Sequence, residues 1–261
     1  MNKAIKRVLQ THWMGQNIYY YKETDSTNIQ AKSCENAGHG ALFVADKQTA
    51  GRGRLGRSWE SPAADNIYMT LRLEPEMEPD RAPMLTLVMA LSVAEALNHV
   101  TGLEVNIKWP NDIVVNKKKI CGILTEMSVN MTGIAYVVIG VGVNVNTKDF
   151  PEEIRGTAAS LYTESGRCFE RSEVIAEILK QFEVNYETFM KKTSLADLMS
   201  SYNTLLINRN KEVRVLEPGN EYNGYALGIN EAGELLVKKE DGSVVQVFAG
   251  EVSVRGLLGY V

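Results

Sequence analysis

The hydrophobic pattern of this chain is strongest between Ala82 and Val100. There Leu85, Val88, Met89, Val93, Ala96 and Leu97 recur at helical spacing. Thr86, Ser92, Glu95, Asn98 and His99 interrupt the apolar run, so the pattern predicts a core helix packed on a sheet and not a membrane span. His99, near its C-terminal end, is read as a favourable contact with the helix dipole. A second stripe of Ile175, Ile178, Leu179, Phe182, Tyr186 and Phe189 predicts another helix, with Ser172 as its N-cap. Weaker helical patterns lie within residues 1–17, after Asn28 (Ile29, Ala31, Cys34), and from Ser194 (Leu195, Leu198, Leu205, Leu206). Between the helices the period changes. Ala41 to Ala45 is continuously apolar and reads as a buried strand, while Asn66 to Leu73 alternates. Ile18 to Tyr21, Val105 to Trp109 and Ala135 to Ile139 read as further strands. Ile113 to Val115 and Ile120 to Glu126 read as a hairpin about Asn116-Lys117-Lys118. From Lys211 the texture becomes short strands with turns at Pro218-Gly219 and Asp241-Gly242. The expected fold is α+β: a mixed or antiparallel sheet packed by helices over residues 1–207, then a small β-barrel over 208–261.

The chain has 261 residues, of which 44% are apolar, enough for a real core. Its net charge of −4 offers no global field for nucleic acid. Positive charge is local, in residues 51–57 and at Lys117-Lys118-Lys119. Cys34, Cys121 and Cys168 are odd in number and form no C-x-x-C pair, which excludes a disulfide framework or cysteine zinc site and fits a reducing cytoplasm. His12, His39 and His99 are scattered, without metal-ligand spacing. The first ten residues lack the apolar run of a signal peptide.

The chemistry concentrates in Gly51-Arg52-Gly53-Arg54-Leu55-Gly56-Arg57-Ser58-Trp59. Arginine keeps its charge and presents a planar fork of donors to phosphate or carboxylate oxygens. Glycine lets backbone approach a ligand. A tryptophan face can stack on a flat ring. The stretch reads as a mobile cationic loop closing over an anion that carries a base. A solvated basic turn and a groove for single-stranded nucleic acid stay open on the loop alone. A P-loop does not: polar Asp46 to Thr49 precede the run, and Trp59-Glu60-Ser61-Pro62 follows where a helix should begin. Gly140-x-Gly142 is no dinucleotide fingerprint either, because the third glycine and the following helix are missing. Thr24-Asp25-Ser26-Thr27-Asn28 suits two roles, capping the next helix or facing a small polar ligand.

The order of the motifs discriminates further. Ser26-Thr27-Asn28, Gln48, the glycine-arginine loop with Trp59, Lys108-Trp109-Pro110-Asn111-Asp112, Lys119-x-x-Gly122 and Gly140-x-Gly142-x-Asn144 follow one another near predicted strand ends. Over residues 20–146 this series closely resembles the biotin protein ligases, and the C-terminal barrel suits that family too. The resemblance implies a catalytic domain like that of class II aminoacyl-tRNA synthetases. It also implies two steps. The biotin carboxylate attacks the α-phosphate of ATP, giving biotinyl-5′-AMP and pyrophosphate; a lysine of a biotin carboxyl carrier domain then attacks the activated carbonyl and releases AMP. By the same resemblance Ser26, Thr27, Asn28 and Gln48 hold biotin, with Gly51, Arg52, Gly53 and Arg54 closing over it. Gly122, Gly140 and Gly142 leave it room, and Lys119 bonds the reacting carboxyl and phosphate. Arg54, Arg57, Trp59, Asn111 and Asn144 face the nucleotide, while Asp112 orients or deprotonates the incoming lysine. Arg52, Arg54, Lys119 and Asp112 are the expected catalytic set. Mg²⁺ is the implied cation and a homodimer the implied assembly, in the cytoplasm with no DNA and no membrane. Many family members carry an N-terminal helix-turn-helix domain; this chain begins too close to the catalytic domain to hold one, so a single-function ligase is expected. A lipoate or octanoate ligase of the same fold is the nearest alternative, and a non-catalytic strand-binding protein a more distant one.

Overall fold

The computed structural model describes residues 1–63, 65–217, 219–250 and 253–256. Pro218 of the predicted turn and the end of the expected barrel, 257–261, lie outside them. The chain opens with helix α1 (Asn2–Val8), then β1 (Ile18–Tyr21), α2 (Thr27–Ser33), β2 (Ala41–Ala45) and β3 (Ile67–Leu73). Helix α3 (Met84–Thr101) leads into β4 (Val105–Lys108), β5 (Asp112–Val115), β6 (Lys118–Asn130) and β7 (Gly133–Val143). Helices α4 (Leu161–Ser165), α5 (Arg171–Met190) and α6 (Met199–Leu205) follow. The seven strands form one mixed sheet in the order β1-β2-β3-β7-β6-β5-β4. Only the β1–β2 pair is parallel.

Alternation divides the sheet into two unlike faces. Met69, Leu71, Ile123, Ile139, Val141 and Val143 point to one side, where α3 and α5 pack. This is the main core, and truncating a buried leucine such as Leu97 there costs about 2–5 kcal/mol. The opposite face carries Tyr68, Thr70, Gly122, Gly140 and Gly142 under α2 and the glycine-arginine loop. The first face is mainly apolar; the second sets a small apolar cluster (Ala31, Ala41, Phe43, Val138) beside these polar and glycine positions.

Several expectations change in detail. The N-terminal helix ends at Val8, and the chain after it is pinned by Glu183, whose buried carboxylate accepts the backbone N–H groups of His12, Trp13 and Met14 at 2.8–2.9 Å. Ser172 lies inside α5, which begins at Arg171. The last helix of the main unit starts at Met199, not Ser194, whose hydroxyl accepts the Ala196 N–H in a preceding turn. His99 meets Glu177 of α5 at 3.1 Å, so a side-chain partner accompanies any dipole effect. Strand β7 runs on to Val143 and carries both Gly140 and Gly142 within it. The β5–β6 turn is the two-residue kind: Asn116 (φ 48°) and Lys117 (φ 67°) both adopt left-handed backbone.

Residues 211–256 form a second, five-stranded antiparallel sheet: β8 (Lys211–Leu216), β9 (Tyr222–Ile229), β10 (Leu235–Lys238), β11 (Val244–Val247) and β12 (Ser253–Gly256), in the order β11-β10-β9-β8-β12. The end strands β11 and β12 do not pair with each other among the described residues, so the expected barrel is an open sheet there. Trp109 joins the two units. Its buried indole donates to Gly233 O at 3.0 Å and its backbone N–H to Asn208 Oδ1 at 3.0 Å.

Candidate active site

The cavity begins as a gap in the sheet. Gly122 of β6 lies opposite Gly142 of β7, and Leu124 lies opposite Gly140. The missing side chains leave a hollow flanked by Tyr68 and the rest of β3. Lys119 and Gly122 are three positions apart, a spacing that strict alternation sends to opposite faces. A β-bulge resolves the conflict: Ile113 pairs with Cys121 but Val114 with Lys119, leaving Ile120 as the extra residue. Ile120 and Cys121 both enter the core, and Lys119 returns to the face of Gly122.

Helix α2 supplies one wall. Ser26 precedes the helix but makes no side-chain capping bond; 3% exposed, it lines the cavity. The Thr27 N–H and hydroxyl both reach Gln48 Oε1, at 2.8 and 3.1 Å. Gln48 Nε2 donates to Ser61 Oγ at 2.9 Å, which ties this wall to the end of the loop. Asn28 is 4% exposed, with its Oδ1 2.6 Å from Thr70 Oγ1 and its Nδ2 2.8 Å from Glu126 Oε2.

The glycine-arginine loop forms the lid. Gly53 N–H bonds Arg57 O at 2.7 Å, Trp59 N–H bonds Gly51 O at 2.9 Å, and Arg54–Gly56 make a 3₁₀ turn between. The Trp59 indole drops into the glycine hollow. A Cβ on Gly142 would stand 2.7 Å from its Cε2 and Nε1, and one on Gly122 3.0 Å from its Cζ3. Trp59 Nε1 is buried there with no hydrogen-bond partner among the described residues. The free volume left is about 60 Å³, room for a few waters. Gly140 yields to Asn28 instead, because a Cβ there would fall on Asn28 Oδ1. The glycines expected to make room for a ligand thus make room for an indole and an amide, and a bicyclic ligand must displace the indole to enter.

Cations collect at the other end. Lys119 Nζ lies 2.6 Å from Asp112 Oδ1, and Lys108 Nζ 3.9 Å from Asp112 Oδ2. Arg54 donates to Asn111 Oδ1 at 2.8 Å and reaches across to Ala249 O at 2.9 Å and to Gly250 O. The loop is thereby strapped to the second sheet. Burial pushes the Lys108 ammonium down to about 8; Asp112 resists, while Lys119, Arg255 and Arg57 push the same way. Burial likewise lowers Arg54 from its ordinary value, with Asp112 opposing and Arg57 adding to the fall. Such crowding of positive charge is costly in the free protein and favourable to an arriving polyanion.

Four expected contacts lie off the cavity wall, Asp112 among them, where Lys119 holds it. Arg57 is exposed and off the cavity wall, and Gly51 stands behind Trp59. Asn144 donates to Ala159 O at 3.1 Å and its backbone N–H to Ile120 O at 2.8 Å. It holds the 157–161 segment, whose backbone brackets Lys119 through Thr157 O and the Ala159 N–H, so it supports the lysine from behind. Thr70, Tyr68, Lys108 and Glu126 were not singled out from the sequence. Alternation along Ile67 to Leu73 would have put Tyr68 and Thr70 together on one face, and Lys108 opens the K-W-P-N-D motif.

The fit to a metal is also legible. No carboxylate lines the cavity, Asp112 is engaged by Lys119, and no group of three metal-ligating side chains gathers among the described residues. The donors present do not build a magnesium cage.

Comparison with known proteins gives this site its family. Residues 20–144 match the biotin/lipoate A/B protein ligase family and residues 210–255 the biotin protein ligase C-terminal domain. A bifunctional ligase/repressor of Bacillus spizizenii is 40% identical over 252 residues, covering 94% of this chain and 76% of its own length. The chain belongs to the biotin protein ligase family. A biotin–[acetyl-CoA-carboxylase] ligase of Mycobacterium tuberculosis is 31% identical over 88% of this chain and 86% of its own. The structure of a biotin protein ligase from Aquifex aeolicus in complex with biotin and ATP superposes with a TM-score of 0.83 at 34% identity, covering 92% of this chain and 99% of that one. Within that family the two matched segments divide here as the two sheets do: the first spans β1 to β7 and the second β8 to β12.

Proposed function

We infer that this chain is an ATP-dependent biotin protein ligase, forming biotinyl-5′-AMP and transferring biotin to a lysine of a biotin carboxyl carrier domain. One observation carries the reading: a single cavity joins a largely buried wall of neutral hydrogen-bonding groups (Ser26, Thr27, Asn28, Gln48) to a cationic wall (Arg52, Arg54, Lys119) under one loop. The neutral wall suits the uncharged cyclic urea of biotin. The cationic wall suits the pair of anions, carboxylate and triphosphate, that must meet in the first step. With the ligands seated, Lys119 and Arg54 lie where charge develops on the α-phosphate. Displacement of Trp59 by biotin frees its unpartnered Nε1–H and its ring for the nucleotide side. The lid then excludes water from the mixed anhydride until an amine arrives. Asp112, between Lys119 and Lys108, orients that amine. The implied Mg²⁺ would come bound to the triphosphate and neutralise phosphate charge, since the donors present among the described residues build no cage of their own.

Strand lengths support the homodimer reading. β5 covers β6 only from Lys118 to Gly122, which leaves one edge of β6 open from Leu124 to Asn130 among the described residues. Met127, Val129 and Met131 are exposed there. A homodimer pairing these edges would satisfy the open backbone groups. The three free cysteines agree with the cytoplasm as its compartment. The test is incorporation of labelled biotin into a purified biotin carboxyl carrier domain with ATP. The reading expects label that disappears when the acceptor lysine is changed to arginine. No label on the intact acceptor contradicts it.

A further inference from the structure

Glu126 does not line the cavity, yet it governs what the cavity offers. It follows Leu124 by two positions on β6, on the same face. Asn28 Nδ2 donates to Glu126 Oε2 at 2.8 Å and more loosely to Leu124 O at 3.4 Å, while Lys32 Nζ donates to Glu126 Oε1. Burial works to raise the Glu126 carboxyl, but hydrogen bonds from Lys32 and Asn28 and the charges of Lys32 and Arg52 outweigh it and hold it below the usual range. A carboxylate so held accepts hydrogen bonds and donates none. The NH₂ of Asn28 must therefore face Glu126, and Oδ1 must face away. On that side Thr70 Oγ1 stands 2.6 Å off, and since an amide oxygen only accepts, the Thr70 hydrogen is committed to it. Thr27 Oγ1, 2.8 Å from Thr70 Oγ1, then meets a lone pair. The Thr27 hydroxyl must donate, to Thr70 or to Gln48 Oε1 at 3.1 Å.

We propose that Glu126 is a positioning residue for recognition of the cyclic urea: it locks the Asn28 amide, and through Thr70 and Thr27 it fixes which atoms of the wall accept and which donate. The wall then accepts a ring N–H at Asn28 Oδ1 and disfavours a ring whose nitrogen carries a methyl in place of that hydrogen. This rests on biotin being the substrate.

The experiment compares biotin with N-methylbiotin, in which a methyl caps one ring N–H of the urea, in the full-length wild type, E126Q and E126D by calorimetry, with pyrophosphate exchange alongside. E126Q keeps the shape and loses the acceptor-only group; E126D shortens the side chain and keeps it. The expected result is an about tenfold loss of the biotin preference in E126Q, with the KM for biotin raised about tenfold while kcat and the KM for ATP stay within about twofold. E126D retains more of the preference than E126Q. Both ligands titrate the same folded protein, so the ratio is unaffected by any fraction lost to misfolding. An unchanged ratio in E126Q, or an equal loss in E126D, overturns the proposal. A wild type that binds neither ligand and exchanges no pyrophosphate refutes the ligase reading itself, a different outcome from an active wild type with an indifferent E126Q.

Discussion

The two ends of the cavity are built on opposite principles. At the α2 end, Ser26, Thr27, Asn28 and Thr70 are all buried, and Thr27, Asn28 and Thr70 share one chain of hydrogen bonds anchored on regular secondary structure. At the loop end, Arg54, Lys108 and Lys119 crowd one carboxylate, and Trp59 Nε1 has no partner among the described residues. Hydrogen bonds that are already made cost nothing further to organise, so the first end selects. Unbalanced charge waiting for a polyanion stabilises a transition state more than a ground state, so the second end reacts. The difference teaches that recognition sits in the rigid half of the site and activation in the half that must move.

Four experiments break or sharpen that contrast, in falling order of effect. Lys119→Ala should lower biotin-dependent pyrophosphate exchange by about 10³-fold at saturating substrates, because the cation nearest the developing charge is gone. Arg54→Ala should lower the same rate by about 10²-fold and, since Arg54 also holds Ala249 and Gly250, should expose the 54–59 segment to limited proteolysis. Gly140→Ala belongs to the other end: a Cβ displaces the Asn28 amide, so the KM for biotin should rise about tenfold or more while the KM for ATP holds. Equal damage to both constants would erase the division. The smallest effect is the pH dependence of ATP binding. Lys108, lowered to about 8 by burial, is charged below that pH and neutral above it, so the affinity for the polyanion should fall as pH rises. A KM for ATP that climbs roughly threefold between pH 7 and 9 is expected, flattened in Lys108→Met. For stability the sign is opposite: a folded pKa below the unfolded value of 10.5 means Lys108 weighs least against folding at high pH.

Much of this was legible in residue order. The α3 stripe and the α5 stripe fold as their periodicity dictates, and the motif series does meet at one cavity, since Ser26 to Asn28, Gln48, Arg54, Lys119 and Gly122 all line it. The misses have physical causes. Periodicity counts residues and cannot show a bulge, so the displaced Ile120 that turns Lys119 toward Gly122 was hidden. Asn144 lies in a motif, but its Nδ2 donates to Ala159 O, a long-range pairing invisible along the chain. Thr70 and Glu126 lie in ordinary strand patterns; only the sheet order β3-β7-β6 brings them to opposite sides of Asn28. Gly142, read as space for a ligand, faces the Trp59 indole here, a contact between positions 83 residues apart that no local pattern reveals.

The central claim is that a cation-walled cavity brings a biotin carboxylate against ATP, and exchange of labelled pyrophosphate into ATP reads that step alone. The account predicts exchange by the wild type that requires biotin, is not supported by lipoate, and is lost in Lys119→Ala. Exchange that proceeds without biotin, or at the wild-type rate in Lys119→Ala, would contradict it.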